Sequence, residues 1–170
     1  EKEMNNIIEK VKNNGAVHIQ EAKSELEREK LWTARRSAYG VFAKLAPDIV
    51  TEDVTVPVSK VPIMIRQIIK IANKYGLKVG VLAHAGDGNM HPMIPANKED
   101  KEEWGKVEAV FSEIFQAAAG LGGTLSGEHG IGLAKAPYLP FVMNKDTIDF
   151  MKKIKQAVDP DLILNPGKFV

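Results

Sequence analysis

Three of the four histidines in this chain lie in two glycine-rich segments. The first segment reads His84-Ala-Gly-Asp-Gly-Asn-Met-His91, and the second reads Ser126-Gly-Glu-His-Gly-Ile-Gly132. Imidazole and carboxylate groups are common ligands of divalent metal ions, and glycines let the backbone approach a ligand closely. The two segments together therefore predict a metal-binding site.

The dipeptide Asp87-Gly88 predicts a β-hairpin with a two-residue type I′ turn, in which Asp87 is a turn residue. In that register His84 faces His91 across the ladder, with β-carbons roughly 5 Å apart. Two imidazoles at that separation can share one divalent ion, with metal–nitrogen bonds of about 2.1 Å. A register slip of one residue would separate the two histidines, so this is a sharp prediction.

Glu128 and His129 are adjacent, and adjacent side chains of an extended backbone point to opposite faces. We therefore expect one of them to join His84 and His91 directly. Glu128 would complete a three-ligand site with open positions, which is typical of a catalytic metal. His129 would then remain nearby as a proton acceptor. An interpretation without a metal stays open, because such a hairpin can be purely structural and a Glu-His pair can be solvated. His18 is assigned no role.

The apolar spacing predicts an α+β sandwich, with helices on one face of a mainly antiparallel sheet. Helices are expected at 3–14, at about 24–45, between a Ser59 cap and Gly76, from an Asn97 cap through Ala118, and at about 147–158. Strands are expected at 16–22 and 50–56, and a hairpin at 78–95. Pro92 lacks an N–H group, so little pairing is expected on the outer side of its strand. The expected buried stripes are Val61, Ile65, Ile68, Ile69 and Ala72 in the third helix, and Val107, Val110, Phe111, Ile114, Phe115 and Ala118 in the fourth.

Composition excludes several classes of function. The formal net charge is +1 and cysteine is absent from the 170 residues. A nearly neutral chain gives no reason to expect nucleic acid as a partner, and a chain without cysteine has no disulfides or cysteine nucleophiles and no cysteine ligands for an iron–sulfur cluster. Apolar runs fall short of the ~18 residues of a membrane span, and the charged start is not a signal peptide. We expect a cytoplasmic protein, with peripheral attachment to a membrane as the alternative.

Taken together, the motifs resemble the C-terminal domain of FAD-linked oxidases. This family contains the glycolate oxidase FAD subunit, D-lactate dehydrogenase and D-2-hydroxyglutarate dehydrogenase. The resemblance rests on the two histidine segments and on Asn165-Pro-Gly-Lys168, in this order and spacing. Leu31-Trp32 followed by Arg35, and Glu52-Asp53-Val-Thr-Val-Pro57, also resemble family signatures. The resemblance covers nearly the whole chain and implies a ferredoxin-like fold, which agrees with the order of elements.

The resemblance implies a role for each matching residue. His84, His91 and Glu128 would hold a divalent metal, zinc or manganese. His129 would lie near the flavin and take the proton from the substrate hydroxyl. Arg35 would bind the substrate carboxylate, although an arginine on this apolar stripe can also pair with Glu52 or Asp53. Residues expected close to the substrate or the flavin are Asn89, Glu128, His129, Asn165 and Lys168.

The resemblance also implies how the protein is organised. We expect residues 1–170 to form a single domain, the C-terminal substrate- and metal-binding cap. The N-terminal domain that holds most of the FAD, and the start of the cap, are expected to be missing. The implied partners are that flavin-binding domain, a small 2-hydroxy acid and an iron–sulfur electron-transfer subunit. The isolated chain is expected to be inactive.

The resemblance also bears on the substrate, because family members that act on 2-hydroxydicarboxylates carry extra polar or basic groups for the second carboxylate. The equivalent places here, around Tyr39 and Thr51, are expected to offer no such cation, which favours a monocarboxylate such as glycolate or D-lactate. Two alternatives to the oxidase remain open. One is a stand-alone metal hydrolase that uses His84, His91 and Glu128 on a bound water, although it leaves Arg35 unexplained. The other is a degenerate binding module without catalysis, which leaves the complete ligand set unexplained.

Overall fold

The computed structural model describes residues 2–168 of the chain, which divides into two compact units, Glu1–Val41 and Phe42–Val170. The first unit contains helix α1 (Lys2–Asn13) and most of helix α2 (Glu25–Phe42). The strand expected at 16–22 is wrong: these residues are not in a strand. A strand needs a neighbour for its backbone hydrogen bonds, and the described part of the chain pairs none with this segment. Among residues 2–168, no helix is long and apolar enough to cross a membrane.

The second unit is built on an antiparallel sheet whose strands are β1 (Asp48–Thr51), β2 (Val54–Thr55), β3 (Gly80–His84) and β4 (Asn89–Ala96). The centre of the sheet is β4, with β3 on one side and β1 and β2 in succession on the other. Helix α3 (Val61–Lys74) connects β2 to β3, and helix α4 (Lys101–Gly120) follows β4. After α4, Thr124 forms an isolated antiparallel bridge with Thr55, at the edge of the sheet beside β2. This is the order of a ferredoxin-like fold, so the predicted α+β class is confirmed.

The strand expected at 50–56 is divided into β1 and β2 because of Pro92. The N–H of Glu52 donates to the carbonyl of Pro92 at 3.2 Å, and Pro92 has no N–H to return the bond. The ladder therefore breaks at Glu52 and Asp53, and pairing resumes where Val54 faces Met90. The expectation of little pairing on this side of β4 is wrong except at the break itself.

Helices α3 and α4 pack against each other, and α4 contacts β2 and β4. Every residue expected in the α4 stripe is buried. In α3, Met64 is buried, whereas the expected Ile69 is 45% exposed. The predicted caps are wrong: Lys60 and Asp100 occupy the N-cap positions, and the Asp100 side chain accepts from the N–H groups of Glu102 and Glu103.

The two faces of the sheet differ in chemistry because side chains alternate along each strand. One face carries Val54, Met90 and Ile94, which belong to the buried core together with residues of α3 and α4. The polar face carries Thr55 of β2, His84 of β3, and Asn89 and His91 of β4. Asp53, in the break before β2, lies two positions before Thr55 and has the same parity along the chain. Helices α5 (Gly132–Lys135) and α6 (Lys145–Val158) follow the second glycine-rich segment.

Candidate metal centre

The hairpin joins β3 to β4, but its register differs from the predicted one by two residues. The loop has four residues, 85–88, so His84 faces Asn89 and Leu82 faces His91. Because side chains alternate with a period of two, a shift of two residues leaves His84 and His91 on the same face. Their ring centroids are 5.5 Å apart, with the planes nearly perpendicular. The predicted pairing is therefore wrong, but the predicted proximity of the two rings is confirmed.

The longer loop follows from the close contact between Gly88 and Val56. Gly88 has a φ of +84°, and a β-carbon at this position would overlap the carbonyl oxygen of Val56. The N–H of Gly88 donates to the carbonyl of His84 at 3.0 Å, which closes the loop. Asp87 is a turn residue as expected, because its Oδ1 accepts from the N–H of Asn89 at 2.9 Å.

The three side chains predicted as metal ligands lie together. His84, His91 and Glu128 each offer a ligand atom, and these atoms all lie within 4.8 Å of one another. His91 Nε2 is 3.0 Å from Glu128 Oε1. Burial lowers the pKa of His91, and the nearby Glu128 partly opposes that shift. A lowered pKa favours neutral imidazole, the form that binds metals, so the donor set fits a divalent ion.

His129 belongs to the same cluster, contrary to the expectation for adjacent residues of an extended backbone. Its ring centroid lies 5.2 Å from that of His91. The segment 127–129 is a bend and not a strand, so Glu128 and His129 both reach His91. His129 is 39% exposed at its side chain and Glu128 is 53% exposed. Both side chains are therefore open to a ligand.

This bend is organised by Asp53, which sequence reasoning left without a role in the site. The fully buried Asp53 carboxylate accepts from the N–H groups of Gly127, Glu128 and His129 at 2.7, 2.8 and 3.1 Å. The Ser126 hydroxyl donates to the same carboxylate at 3.0 Å. Successive N–H groups that converge in this way form an anion-binding nest, and Asp53 is the anion. Burial alone would raise the pKa of Asp53, but these bonds and a nearby ammonium hold it well below its usual range.

That ammonium belongs to Lys135, the second residue that sequence reasoning missed. Lys135 is 2% exposed, and its Nζ contacts the Asp53 carboxylate and lies 3.2 Å from Glu52 Oε2. It also donates to the carbonyl of Asp53 at 2.9 Å. Glu52, Asp53 and His129 form another group of potential metal ligands, but the Lys135 ammonium already pairs with both of its carboxylates. The sequence did contain a sign that Lys135 is buried, because it is a lone lysine in a stretch of small and apolar residues.

The other predicted site residues fall in three places. Asn89 is 5% exposed, and its Oδ1 accepts from the Thr55 hydroxyl at 3.1 Å on the polar face of the sheet. Arg35 belongs to α2, with its guanidinium carbon 6.0 Å from the ring centroid of Trp32. Asn165 and Lys168 share a groove of about 530 Å³ with Gly132, the last residue of the second glycine-rich segment.

Comparison with protein families gives a match over residues 1–169, to the family described as FAD linked oxidases, C-terminal domain. The chain is 46% identical over 168 residues to glycolate oxidase subunit GlcD of Bacillus subtilis, covering 99% of this chain and 36% of that protein. It is 37% identical to the mitochondrial D-lactate dehydrogenase [cytochrome] of Kluyveromyces lactis, covering 86% of this chain and 26% of that protein.

A third relative is the D-2-hydroxyglutarate dehydrogenase of Stutzerimonas stutzeri. The two sequences are 31% identical, and the chain covers 32% of that protein. The similarity extends over 86% of this chain. The chain thus spans about a third or less of the length of these curated relatives.

Proposed function

Because the chain belongs to the family of FAD-linked oxidase C-terminal domains, we propose that it forms the substrate- and metal-binding part of an FAD-dependent 2-hydroxy acid oxidoreductase. The whole enzyme would oxidise the hydroxyl of the acid to a keto group. Its flavin would be held mainly by a further domain, which is the partner we propose for this chain. A second partner, an iron–sulfur electron-transfer subunit, stays a prediction.

The observation that carries this proposal is the cluster of His84, His91 and Glu128 on the polar face of the sheet. Two imidazoles and one carboxylate are a donor set that suits zinc or manganese and leaves coordination positions open. A divalent ion there would supply a Lewis acid that lowers the pKa of a hydroxyl, and FAD would supply the hydride acceptor. The three side chains have the complementary task of fixing where the substrate oxygen lies.

Other residues of the chain would have tasks of their own. His129, whose ring lies 5.2 Å from that of His91, would take the proton from the substrate hydroxyl. The Arg35 guanidinium can make two parallel hydrogen bonds to a carboxylate, which would orient the carbon that loses hydride. Asn89 engages Thr55 through Oδ1, so its Nδ2 would serve as the donor to the substrate. Asn165 and Lys168 would face the flavin.

We propose glycolate or D-lactate as the substrate. Relatives named for both are similar to this chain, at 46% identity for the glycolate oxidase subunit and 37% for the D-lactate dehydrogenase. Tyr39 and Thr51 themselves carry no charge that could bind a second carboxylate. In thermal unfolding of the zinc-loaded chain, D-lactate should protect more than D-2-hydroxyglutarate does. The reverse order would contradict the assignment.

Metal content of the purified chain tests the proposed site. We expect close to one zinc or manganese per chain in the wild type, and none in the double variant His84→Ala, His91→Ala. His18→Ala is the control for loss of a histidine, because His18 is exposed and belongs to neither group of potential metal ligands. A wild type that stays empty after incubation with zinc and manganese would favour the degenerate binding module. Metal retained by the double variant would place the site elsewhere.

A further inference from the structure

The proposed reaction makes no use of Asp53, a carboxylate with no exposed surface in the break between β1 and β2. Buried carboxylates are rare unless they are paired and hydrogen-bonded, and this one is both. Its Oδ1 accepts from Lys135, and its Oδ2 accepts from the three consecutive N–H groups of residues 127–129. The bonds to Oδ2 all come from the segment that carries Glu128 and His129.

We propose that Asp53 is a positioning residue that holds Glu128 and His129 against the two hairpin histidines. This inference rests on the proposed function. In an extended backbone the two side chains would point to opposite faces, and only one of them could reach His91. The convergence of three N–H groups on one oxygen imposes the bend that brings Glu128 Oε1 to 3.0 Å from His91 Nε2. Asp53 thus acts on the metal through Glu128.

Asp53 also lies beside the imidazole of His129. His129 Nδ1 is 3.4 Å from Asp53 Oδ1. A carboxylate next to Nδ1 favours the tautomer that carries its proton on Nδ1, which leaves Nε2 as the proton acceptor. The same residue therefore fixes both the backbone bend and the orientation of the proposed base.

The carboxylate is itself held in one orientation from two sides. The Lys135 ammonium contacts Oδ1, the loop amides donate to Oδ2, and the Ser126 hydroxyl lies within hydrogen-bond distance of both oxygens. Gly127 fits directly over the sheet, because a β-carbon there would overlap the side chains of Thr55 and Asn89. The segment 127–129 therefore packs against the polar face in one position, and its N–H groups are all bonded to Asp53 there.

The test is a zinc titration of the chain against a chromophoric chelator, in the wild type, Asp53→Asn, Glu128→Ala and the double variant. Partners that orient a metal ligand typically contribute about 10–100-fold in affinity. We expect Asp53→Asn to weaken zinc binding by that factor, and the double variant to bind no more weakly than Glu128→Ala alone. This non-additivity is the signature of action through Glu128. Ser126→Ala, a milder change, should weaken zinc binding in the same direction by less.

Asp159→Asn is the matched control. Asp159 is 4% exposed and, like Asp53, accepts backbone N–H bonds, here from Ile163 and Leu164, and contacts a lysine, here Lys155. We expect this variant to lose stability but to bind zinc as the wild type does. Equal zinc affinity in Asp53→Asn and Asp159→Asn, or losses that add in the double variant, would overturn the inference.

Amide hydrogen exchange without metal separates this inference from the proposed function. Asp53→Asn should speed exchange of the amides of residues 127–129 while leaving the core amides of α4 protected. If the loop amides stay as protected as in the wild type, Asp53 does not hold the loop, whatever zinc does. If the wild type binds no zinc, or Glu128→Ala binds it equally well, the proposed function fails and the exchange result still decides the role of Asp53.

Discussion

Replacing Lys135 by methionine removes a buried cation while it preserves most of the volume of the side chain. In the wild type the Lys135 ammonium contacts the fully buried Asp53 carboxylate and lies 3.2 Å from Glu52 Oε2. The methionine side chain of the variant would still fill the space beside Phe115, whose ring centroid is 5.6 Å from the ammonium. The substitution therefore isolates the loss of charge and hydrogen bonds from the loss of packing.

The expected cost is about 3–5 kcal/mol of the free energy of unfolding, because breaking a buried ion pair from one side leaves an uncompensated charge. The value should lie toward the lower end of this range. The four hydrogen bonds that residues 126–129 donate to Asp53 do not involve Lys135. They should therefore still stabilise the negative charge of Asp53 in the variant. Two lost charge-assisted bonds at about 1.5–3 kcal/mol each give the same order of magnitude.

Urea denaturation followed by circular dichroism measures this cost. The matched control is Lys74→Met, which breaks an ion pair with Glu113 whose lysine side chain is 61% exposed. That variant should lose a small fraction of what Lys135→Met loses, because exposed ion pairs contribute little. Equal losses in the two variants, or a Lys135→Met variant within about 1 kcal/mol of the wild type, would refute the reasoning.

The cost should also depend on pH in a defined direction. Burial raises the pKa of Asp53, but the loop amides and Lys135 together bring it well below the usual range. Removing Lys135 removes one of the influences that lower the pKa, so the carboxyl of the variant takes up a proton at a higher pH than in the wild type. The penalty should therefore be complete at neutral pH and shrink as the pH falls below about 4. A penalty that grows in acid would contradict this account.

Two further substitutions test the hairpin and the core. Gly88→Ala should lower the free energy of unfolding by about 1–3 kcal/mol, because it forces a side chain into positive φ against the Val56 carbonyl. Gly86→Ala, where the added β-carbon meets open space, should be close to neutral in the same chemical denaturation, and equal effects would contradict the role of Gly88. Ile68→Ala should cost about 2–5 kcal/mol because Ile68 is fully buried. Ile69→Ala, at a residue 45% exposed, should cost much less, and the reverse order in thermal unfolding would show that the α3 stripe is misplaced.

Local periodicity was sufficient to predict much of the fold. The α4 stripe from Val107 to Ala118 is buried as expected, because a long amphipathic helix with apolar residues at three- and four-residue spacing has one face to bury. In the segment 50–56, alternate residues have different surroundings, because Val50, Val54 and Val56 belong to or pack against the core whereas Asp53 and Thr55 contact the second glycine-rich segment and Asn89. In α3 the expected stripe was wrong at Ile69, which is 45% exposed, whereas Met64, at three- and four-residue spacing from Val61 and Ile68, is fully buried.

The candidate site, too, was predictable from the sequence in part and decided by tertiary contacts in part. His84 and His91 share a face whether the hairpin loop has two residues or four, since both registers preserve the parity of the strand positions. The loop length itself was decided by a distant residue, because Gly88 docks on the backbone of Val56. Short-range turn preferences contain no information about that contact.

The sequence by itself determined the residue types of the candidate site, the face of the sheet that carries His84 and His91, and the family motifs. Tertiary structure alone decided how Glu128 and His129 both join that face. Their bend is imposed by Asp53, 73 or more positions earlier in the chain, and Asp53 is held in turn by Lys135, 82 positions later. Such a buried network depends on desolvation and on groups that meet only after the sheet and the loop have packed, which local pattern cannot specify.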